Sequence, residues 1–336
     1  MSGAEGPAVA GRRAVVLGAL ALVAAASVGC GERPPAAAPG PALPPLALGR
    51  VDELLAVARL RWVVLARLRD VATTAFLIPA IGRVVPEANL DRFAAATGVD
   101  LRTAEEAAMA VYADDGGKDV TAFVVRRGGD ATTIERLFLA RLVGGERRAQ
   151  DRPDVARLTG KFGTSSKTLA VLGRDVVVFQ DGGSPARGPA RVAELYAEGK
   201  LKRSPTLLAA DPLRSLAARF GPAPVRAFAL GPFEGELARG ARGLLAGATA
   251  IGAAARPSAR DRVALAIAVA GDFSKSGQAA SKELGDAWDD LAHGTFGHLL
   301  GLDVPLEKPL ATFSDDAVAV AVELDPDKLA KGLAAA

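Results

Sequence analysis

The sequence is poor in the residues that build disulfide frameworks and metal centres. Its 336 residues include one cysteine and two histidines. A single thiol cannot form an intramolecular disulfide, and this set does not supply the ligands of a Cys/His zinc site. The composition therefore excludes a disulfide-stapled domain and a zinc-finger type of site, and we expect no cofactor.

The sequence also has few aromatic residues and a small net charge. Aromatic side chains make up 5% of a chain that is 50% hydrophobic, so the core must be built mainly from alanine, valine and leucine. The 41 basic and 38 acidic residues leave a net charge of +3, which is too small for a nucleic-acid-binding field. A charged fraction of 24% is ordinary for a globular protein and argues against a disordered chain.

The N-terminus carries the pattern of an export signal. After two arginines, residues 14–29 form an uncharged apolar run of 16 residues. This run is short for a membrane span, which needs about 20 residues, but it suits the apolar core of a secretory signal. It ends at Cys30, and Ser27-Val28-Gly29-Cys30 resembles the lipobox of bacterial lipoproteins. The resemblance implies cleavage after Gly29 and attachment of lipid to the Cys30 thiol.

Two other fates of the N-terminus stay open. Ser27 stands where lipoprotein signals usually have leucine, and Ala24 and Ala26 form an Ala-x-Ala site at which an ordinary signal peptidase would release the protein. The apolar run would otherwise remain as an uncleaved anchor. Gly31 is not the aspartate that retains lipoproteins at the inner membrane, so the resemblance favours the outer membrane. We predict a lipid-anchored envelope protein, with a secreted or periplasmic soluble protein as the alternative.

The rest of the chain divides into a tether and two halves. Residues 30–48 are rich in proline and alanine, which favours an extended, semi-rigid tether between the membrane and the folded part. The first predicted half covers residues 49–203, and the second covers residues 204–336.

Paired apolar runs predict an α+β fold with antiparallel sheets and helices packed on them. An Asp/Gly turn at residues 114–117 predicts one hairpin, and Gly173 predicts the turn of another. Asp130 is expected to cap a helix, and Gly98 to end one that Asn89 begins. Gly129-Asp130 and Gly271-Asp272 follow hairpins in equivalent positions. This echo has two interpretations: the halves are tandem ferredoxin-like βαββαβ units, or the Gly-Asp pair merely ends a strand and caps a helix in each place.

The reactive side chains form only a weak acid-base set. Asp289 and Asp290 precede His293 by one helical turn and would be able to pair with it on a helix. The alternative interpretation is a solvated helix face with a histidine near its C-terminus. A Gly-x-Ser-like turn at Ser184 lacks the required backbone N–H, because the next residue is Pro185. The sequence therefore predicts no catalytic motif and no metal site.

Three functions fit these observations. The first is a non-catalytic envelope protein that binds a protein partner or small ligand and contacts the membrane through Cys30. The second is an envelope hydrolase that uses His293 with Asp289 or Asp290. The third is a lipid carrier that holds acyl chains between Ala/Val-rich sheets. Residues 93–101 (FAAATGVDL) and the following hairpin resemble uncharacterised exported proteins of GC-rich bacteria, a resemblance that implies no active site.

Overall fold

The strands assemble into one sheet. The structure is a computed structural model that describes residues 43 to 335, apart from 149, 151, 203, 304–307 and the side chains of 296 and 300. Within these residues twelve strands form a single sheet. The strands are β1 (Leu60–Ala66), β2 (Glu106–Ala113), β3 (Asp119–Arg126), β4 (Val143–Arg148), β5 (Val155–Phe162), β6 (Ser165–Leu172), β7 (Val176–Asp181), β8 (Val225–Leu230), β9 (Ala248–Pro257), β10 (Val263–Gly271), β11 (Leu310–Ser314) and β12 (Ala317–Leu324).

Helices lie in connections between these strands, and one helix follows the last strand. They are α1 (Leu68–Ala72), α2 (Ile78–Val84), α3 (Glu87–Thr97), α4 (Ala131–Ala140), α5 (Pro189–Ala197), α6 (Leu213–Phe220), α7 (Gly277–His293), α8 (Thr295–Leu300) and α9 (Pro326–Ala335). The strand order is β11-β12-β10-β9-β8-β1-β2-β3-β7-β6-β5-β4, and each neighbouring pair is antiparallel. The predicted α+β class with antiparallel pairing is confirmed, although one continuous sheet replaces the several sheets that were expected.

The two predicted halves each contribute a contiguous part of the sheet. Strands β1 to β7 come from residues 49–203 and β8 to β12 from residues 204–336, and the pairing of β1 with β8 joins them. Each half begins with a three-stranded meander whose last strand leads through a Gly-Asp pair into a helix. The chain then returns so that a later strand, β7 or β12, pairs with that same third strand. The Gly-Asp positions are thus topologically equivalent.

The tandem ferredoxin-like interpretation is not confirmed. Each half contains a β-α-β-β-α core, formed by β3, α4, β6, β7 and α5 in the first and by β10, α7, β11, β12 and α9 in the second. In a βαββαβ unit the closing strand follows the second helix. Here the place beside β3 or β10 is taken by β2 or β9, which precede the core in the chain.

The two faces of the sheet are covered differently. The covered face, which carries Val63 and Leu65 of β1, packs against a 3-10 turn at Val51–Leu54 and against α5 and α6. The open face carries Trp62 and Val64. Helices α3 and α4 pack on one end of the open face, and α7 packs on the other end. The buried side chains are mainly alanine, valine and leucine, as the composition requires.

The predicted tether is too long at its C-terminal end. Leu46 and Leu48 pack against the core of the covered face. The N–H of Ala47 donates to the carbonyl of Ala197 at the end of α5, at 2.7 Å. The folded unit therefore begins at Pro45 and not after residue 48, because the apolar residues that follow the last prolines pack against the core. The chain from Pro45 to Ala336 forms one compact unit.

Capping residues in the sequence predict some helix ends correctly and others incorrectly. Asp130 caps α4 by accepting the N–H of Thr133 at 2.8 Å, and α3 ends at Gly98, as predicted. The expected start of α3 at Asn89 is wrong, because the helix begins at Glu87 after Pro86. The sequence also indicates a helix near residues 234–242, and this prediction is wrong. Residues 235–240 form turns, and a kinked 3-10 segment, Ala241–Gly247, follows them.

Candidate functional site

The middle of the open face exposes large apolar side chains. On β1, Val63 and Leu65 are 0% and 4% exposed on the covered face, whereas Trp62 and Val64 are each 36% exposed on the open face. Met109 on β2 is 43% exposed beside them. Because strand residues alternate between faces, one face of these strands is buried and the other is exposed to solvent. A contiguous apolar patch of this kind is typical of a binding surface.

Val64 and Met109 belong to one apolar row that crosses the sheet, and Trp62 lies beside this row on the same face. Strand pairing places Val64 opposite Met109 on one side and opposite Ala227 on the other. Met109 lies opposite Phe123 of β3, and Ala227 lies opposite Ala253 of β9. Neighbouring strands are about 4.8 Å apart, so the row is a continuous apolar track. It passes under helices at both ends, and a pocket lies at each end.

A phenylalanine pocket of about 290 Å³ lies at the β3 end of this apolar row. The ring centres of Phe123 and Phe179 are 6.4 Å apart, and those of Phe138 and Phe179 are 6.2 Å apart. Phe93 of α3 packs edge-on against Phe123 at 6.1 Å. These separations lie in the range of favourable aromatic pairs. The pocket is lined by Ala96, Thr97, Thr121, Phe123, Phe138, Arg141, Leu142, Phe162, Lys167, Phe179, Gln180 and Asp181.

One of the residues that line the phenylalanine pocket is an arginine, Arg141. The guanidinium carbon of Arg141 lies 5.8 Å from the ring centre of Phe162, which is a cation–π arrangement. Its Nη1 donates to the carbonyl of Ala96 at 3.3 Å. Within the described part of the chain, no carboxylate forms an ion pair with Arg141. The guanidinium therefore keeps its charge uncompensated beside an apolar cavity.

The second cation of the pocket is neutralised. The ammonium of Lys167 pairs with the carboxylate of Asp181 at 2.5 Å, and the hydroxyl of Ser165 also donates to that carboxylate at 2.5 Å. Burial alone would raise the pKa of Asp181, but the hydrogen bonds from Lys167 and Ser165 outweigh burial and lower that pKa. Asp181 is thus ionised at neutral pH, and the charges of Lys167 and Asp181 cancel.

A second apolar pocket, the tryptophan pocket, lies under α7 at the other end of the apolar row. Its volume is about 420 Å³, and Trp288, Leu284, Ile251 and Ile267 line it. Arg242 also lines it, but this guanidinium pairs with two carboxylates of α7, so the tryptophan pocket differs in charge from the phenylalanine pocket.

The structure does not bring the predicted acid-base residues into one set. A ring nitrogen of His293 lies 2.9 Å from the main-chain carbonyl of Asp289 instead of a carboxylate. The carboxylate of Asp290 accepts a hydrogen bond from Arg242, 2.8 Å from its Nε, and this bond lowers the pKa of Asp290. Among the residues that the structure describes, no carboxylate is hydrogen-bonded to His293: Asp289 contacts it through its backbone carbonyl, and Asp290 is bound by Arg242.

The other histidine does contact a carboxylate. Nδ1 of His298 lies 2.8 Å from the carboxylate of Asp303, and this contact lowers the pKa of Asp303. The side chain of His298 is 56% exposed. Exposure leaves this pair without the water-excluded surroundings that acid-base catalysis commonly uses. No group of three or more potential metal ligands occurs among the residues that the structure describes.

The predicted lipid attachment site lies outside the described residues. Cys30, Gly29 and the preceding apolar run all fall before residue 43. From residue 43 onwards, none of the described helices has the length and apolar composition to cross a membrane.

The sequence does not predict the phenylalanine pocket, because no local sequence motif indicates it. Its lining rings come from one helix, α4, and from three strands, β3, β5 and β7, and strand pairing brings these strands together. One weak signal was present. The β3 sequence alternates Thr121, Phe123 and Val125 on one face, which is more apolar than a solvated face requires.

The sequence stands apart from known families. No protein-family model matches it, and no curated protein is similar to it. Among solved structures the chain is similar to TP0453 in its crystal form IV, with 8% sequence identity and a TM-score of 0.46. The match covers 87% of this chain and 97% of that chain. A likeness at this level concerns the course of the chain and says nothing about function.

Proposed function

We propose that this protein is a non-catalytic binding protein of the cell envelope, anchored by lipid at Cys30, and that the open face of its sheet binds an extended apolar ligand. The observation that carries the proposal is the exposure of Trp62, Val64 and Met109 on strands whose opposite face is fully packed. Covering these side chains removes apolar surface from water, which is the main driving force of association.

The shape of the open face favours a long, narrow ligand. The apolar row is one residue wide in each strand and runs across the sheet between two pockets. A globular partner would need a broad rim of complementary polar groups, whereas an acyl chain needs only a continuous apolar track. The candidate ligands therefore narrow to acyl chains and similar aliphatic molecules, and these would lie on one sheet instead of between two sheets.

The N-terminal pattern supports the envelope location. The lipobox-like sequence implies a lipid on Cys30, and the proline content of residues 31–44 favours an extended spacer ahead of the folded unit, which begins at Pro45. A protein held in this way would meet its apolar ligand at the membrane. Gly31 favours the outer membrane, and release as a soluble exported protein remains the alternative.

The hydrolase alternative receives no support from the geometry. His293 contacts a backbone carbonyl, and Asp290 is bound by Arg242, so neither is poised for proton transfer with the other. The open face and its pockets contain neither histidine among their described lining residues. The geometry of the open face therefore favours a binding function over a catalytic one.

A charge placed in the apolar row tests the proposal. Val64→Glu should weaken binding of the neutral dye N-phenyl-1-naphthylamine at least tenfold, because desolvating an unpaired carboxylate costs more than about 1.4 kcal/mol. The dye's fluorescence rises in apolar surroundings, so a titration gives the dissociation constant directly.

The matched control is Val143→Glu. Val143 lies on the edge strand β4, is 79% exposed, and is remote from the apolar row in the strand order. It should leave dye binding unchanged. Equal affinities of the two variants, with both folded by circular dichroism, would contradict the proposed binding face. Absence of dye binding by the unaltered protein would do the same.

A further inference from the structure

We infer that the ligand of the open face is a long-chain fatty acid, whose carboxylate is held by Arg141 at the phenylalanine pocket and whose chain follows the apolar row. This inference rests on the proposed function and adds the head group, the direction and the residue that recognises it. Nothing in the fold alone requires a charge at this end of the row.

The charge at the phenylalanine pocket is the first argument. Three charged side chains line it: Arg141, Lys167 and Asp181. Lys167 and Asp181 form an ion pair, so the sum of +1, +1 and −1 leaves a single positive charge, which is on Arg141. One positive charge beside an apolar cavity matches a monoanion such as a carboxylate. A phosphate monoester, which carries about −1.5 to −2 charges at neutral pH, would bring more negative charge than this site offsets.

The position of Arg141 is the second argument. Phe162 supports its guanidinium, and one nitrogen is fixed by the carbonyl of Ala96. A guanidinium carries five N–H donors in a planar fork that fits a carboxylate. Since only one of the five is used in a side-chain hydrogen bond within the described residues, the others remain for a ligand. The side chain is held in place before the ligand arrives.

The dimensions of the pocket and the row are the third argument. The pocket volume of about 290 Å³ lies at the lower limit of ligand-sized cavities, so it suits the head end of a long chain better than the whole molecule. The row continues from Phe123 over Met109 and Val64 to Ala227. These are three strand spacings of about 4.8 Å, or roughly 14 Å. One acyl chain spans half of a bilayer core about 30 Å thick, which is a similar length.

Charge pairing with Arg141 can be separated from apolar binding. We would titrate the purified protein with cis-parinaric acid and with its methyl ester, which has the same fluorescent chain but no charge. Arg141→Gln should weaken binding of the acid about tenfold, as expected for a charge-assisted hydrogen bond, and leave the ester unchanged. Arg136→Gln removes the same charge from α4 at an exposed position that does not line the pocket. It should change neither affinity.

The other outcomes each decide something. If acid and ester bind the unaltered protein equally and Arg141→Gln affects neither, the carboxylate assignment is overturned while the proposed apolar binding stands. If Arg141→Gln weakens acid and ester by the same factor, Arg141 acts only by packing on Phe162, and the assignment is again overturned. Tighter binding of dodecyl phosphate than of dodecanoic acid would replace the fatty acid with a phosphate ligand. If neither parinaric probe binds, the proposed function fails with it.

Discussion

A buried carboxylate stabilises the covered side of the sheet. Glu194 of α5 is fully buried, and two arginines neutralise it. Nε of Arg157 on β5 and Nη1 of Arg191 on α5 each donate to it at 2.7 Å. The hydrogen bond to Glu194 raises the pKa of Arg157. This group of charges ties the helix to a strand near the edge of the sheet, and its removal would leave two guanidinium groups without their acceptor.

Glu194→Ala should therefore lower the free energy of unfolding by about 3–5 kcal/mol, the usual cost of breaking a buried ion pair. Urea denaturation followed by circular dichroism measures the change. The double variant Glu194→Leu with Arg157→Met replaces the pair by apolar groups and should recover most of the loss. A loss of less than about 1 kcal/mol in the single variant would show that water reaches the carboxylate.

At the scale of elements, the end of α3 shapes the phenylalanine pocket. The helix closes at Gly98, whose φ is +76°, and the chain turns away just after Thr97 at the pocket wall. A Cβ at position 98 would lie 3.0 Å from Cγ1 of Ile134 on α4. Glycine is thus required twice, for the left-handed backbone and for the close approach of α3 and α4.

Gly98→Ala should destabilise the protein by more than the 1–2 kcal/mol that a left-handed backbone alone costs an alanine. The comparison is Gly117→Ala in the β2–β3 turn. Gly117 has a φ of +75°, but a Cβ there would meet no atom within 4 Å. Thermal and urea unfolding of both variants separate strain from crowding. Equal losses would mean that Ile134 moves aside without cost.

Short-range chemistry explains which elements the sequence predicts. The Asp/Gly turn after β2, the glycine turn after β6 and the cap at Asp130 all act within a few residues, and the structure contains each of them. Strand β4 was missed because Val143–Arg148 is an exposed edge strand with no apolar alternation. The pairing of β1 with β8 was beyond reach, since more than 150 residues separate them and no local signal encodes their contact.

The candidate site follows the same rule. The lipobox-like pattern is contiguous and therefore visible in the sequence, whereas the phenylalanine pocket draws on residues from 96 to 181. His293 and Asp290 were paired from helical spacing alone. Spacing does not reveal that Arg242, in a segment expected to be helical, reaches Asp290 first.

At the scale of the whole molecule, the proposed anchor and the proposed binding face occupy different parts of the chain. The predicted lipid is at residue 30, the folded unit begins at Pro45, and the open face lies on the sheet of that unit. If the protein is anchored as proposed, a proline-rich tether would let the unit approach and leave the membrane without losing attachment. Ligand capture and ligand release would then both occur within reach of the bilayer.

Intact-mass measurement of the native N-terminal peptide tests the anchor. We expect a peptide that begins at Cys30 and carries the mass of a diacylglyceryl group, and we expect the protein to enter the detergent phase on partitioning. Cys30→Ala should move it to the aqueous phase. A free N-terminus at Ser27 would instead identify a soluble exported protein, and the membrane arrangement described above would then be wrong.

The seam between β1 and β8 has a consequence for any attempt to divide the protein. Each of these strands begins its half, and the two pair in antiparallel register over five residues, from Trp62 with Ala229 to Ala66 with Val225. A half produced alone would present that strand as a bare edge with unpaired amides and carbonyls. Antiparallel edges are self-complementary about a two-fold axis, so an isolated half is expected to form dimers through it. In the complete chain, β1 and β8 cover each other's edges, as two copies of one half would do in such a dimer.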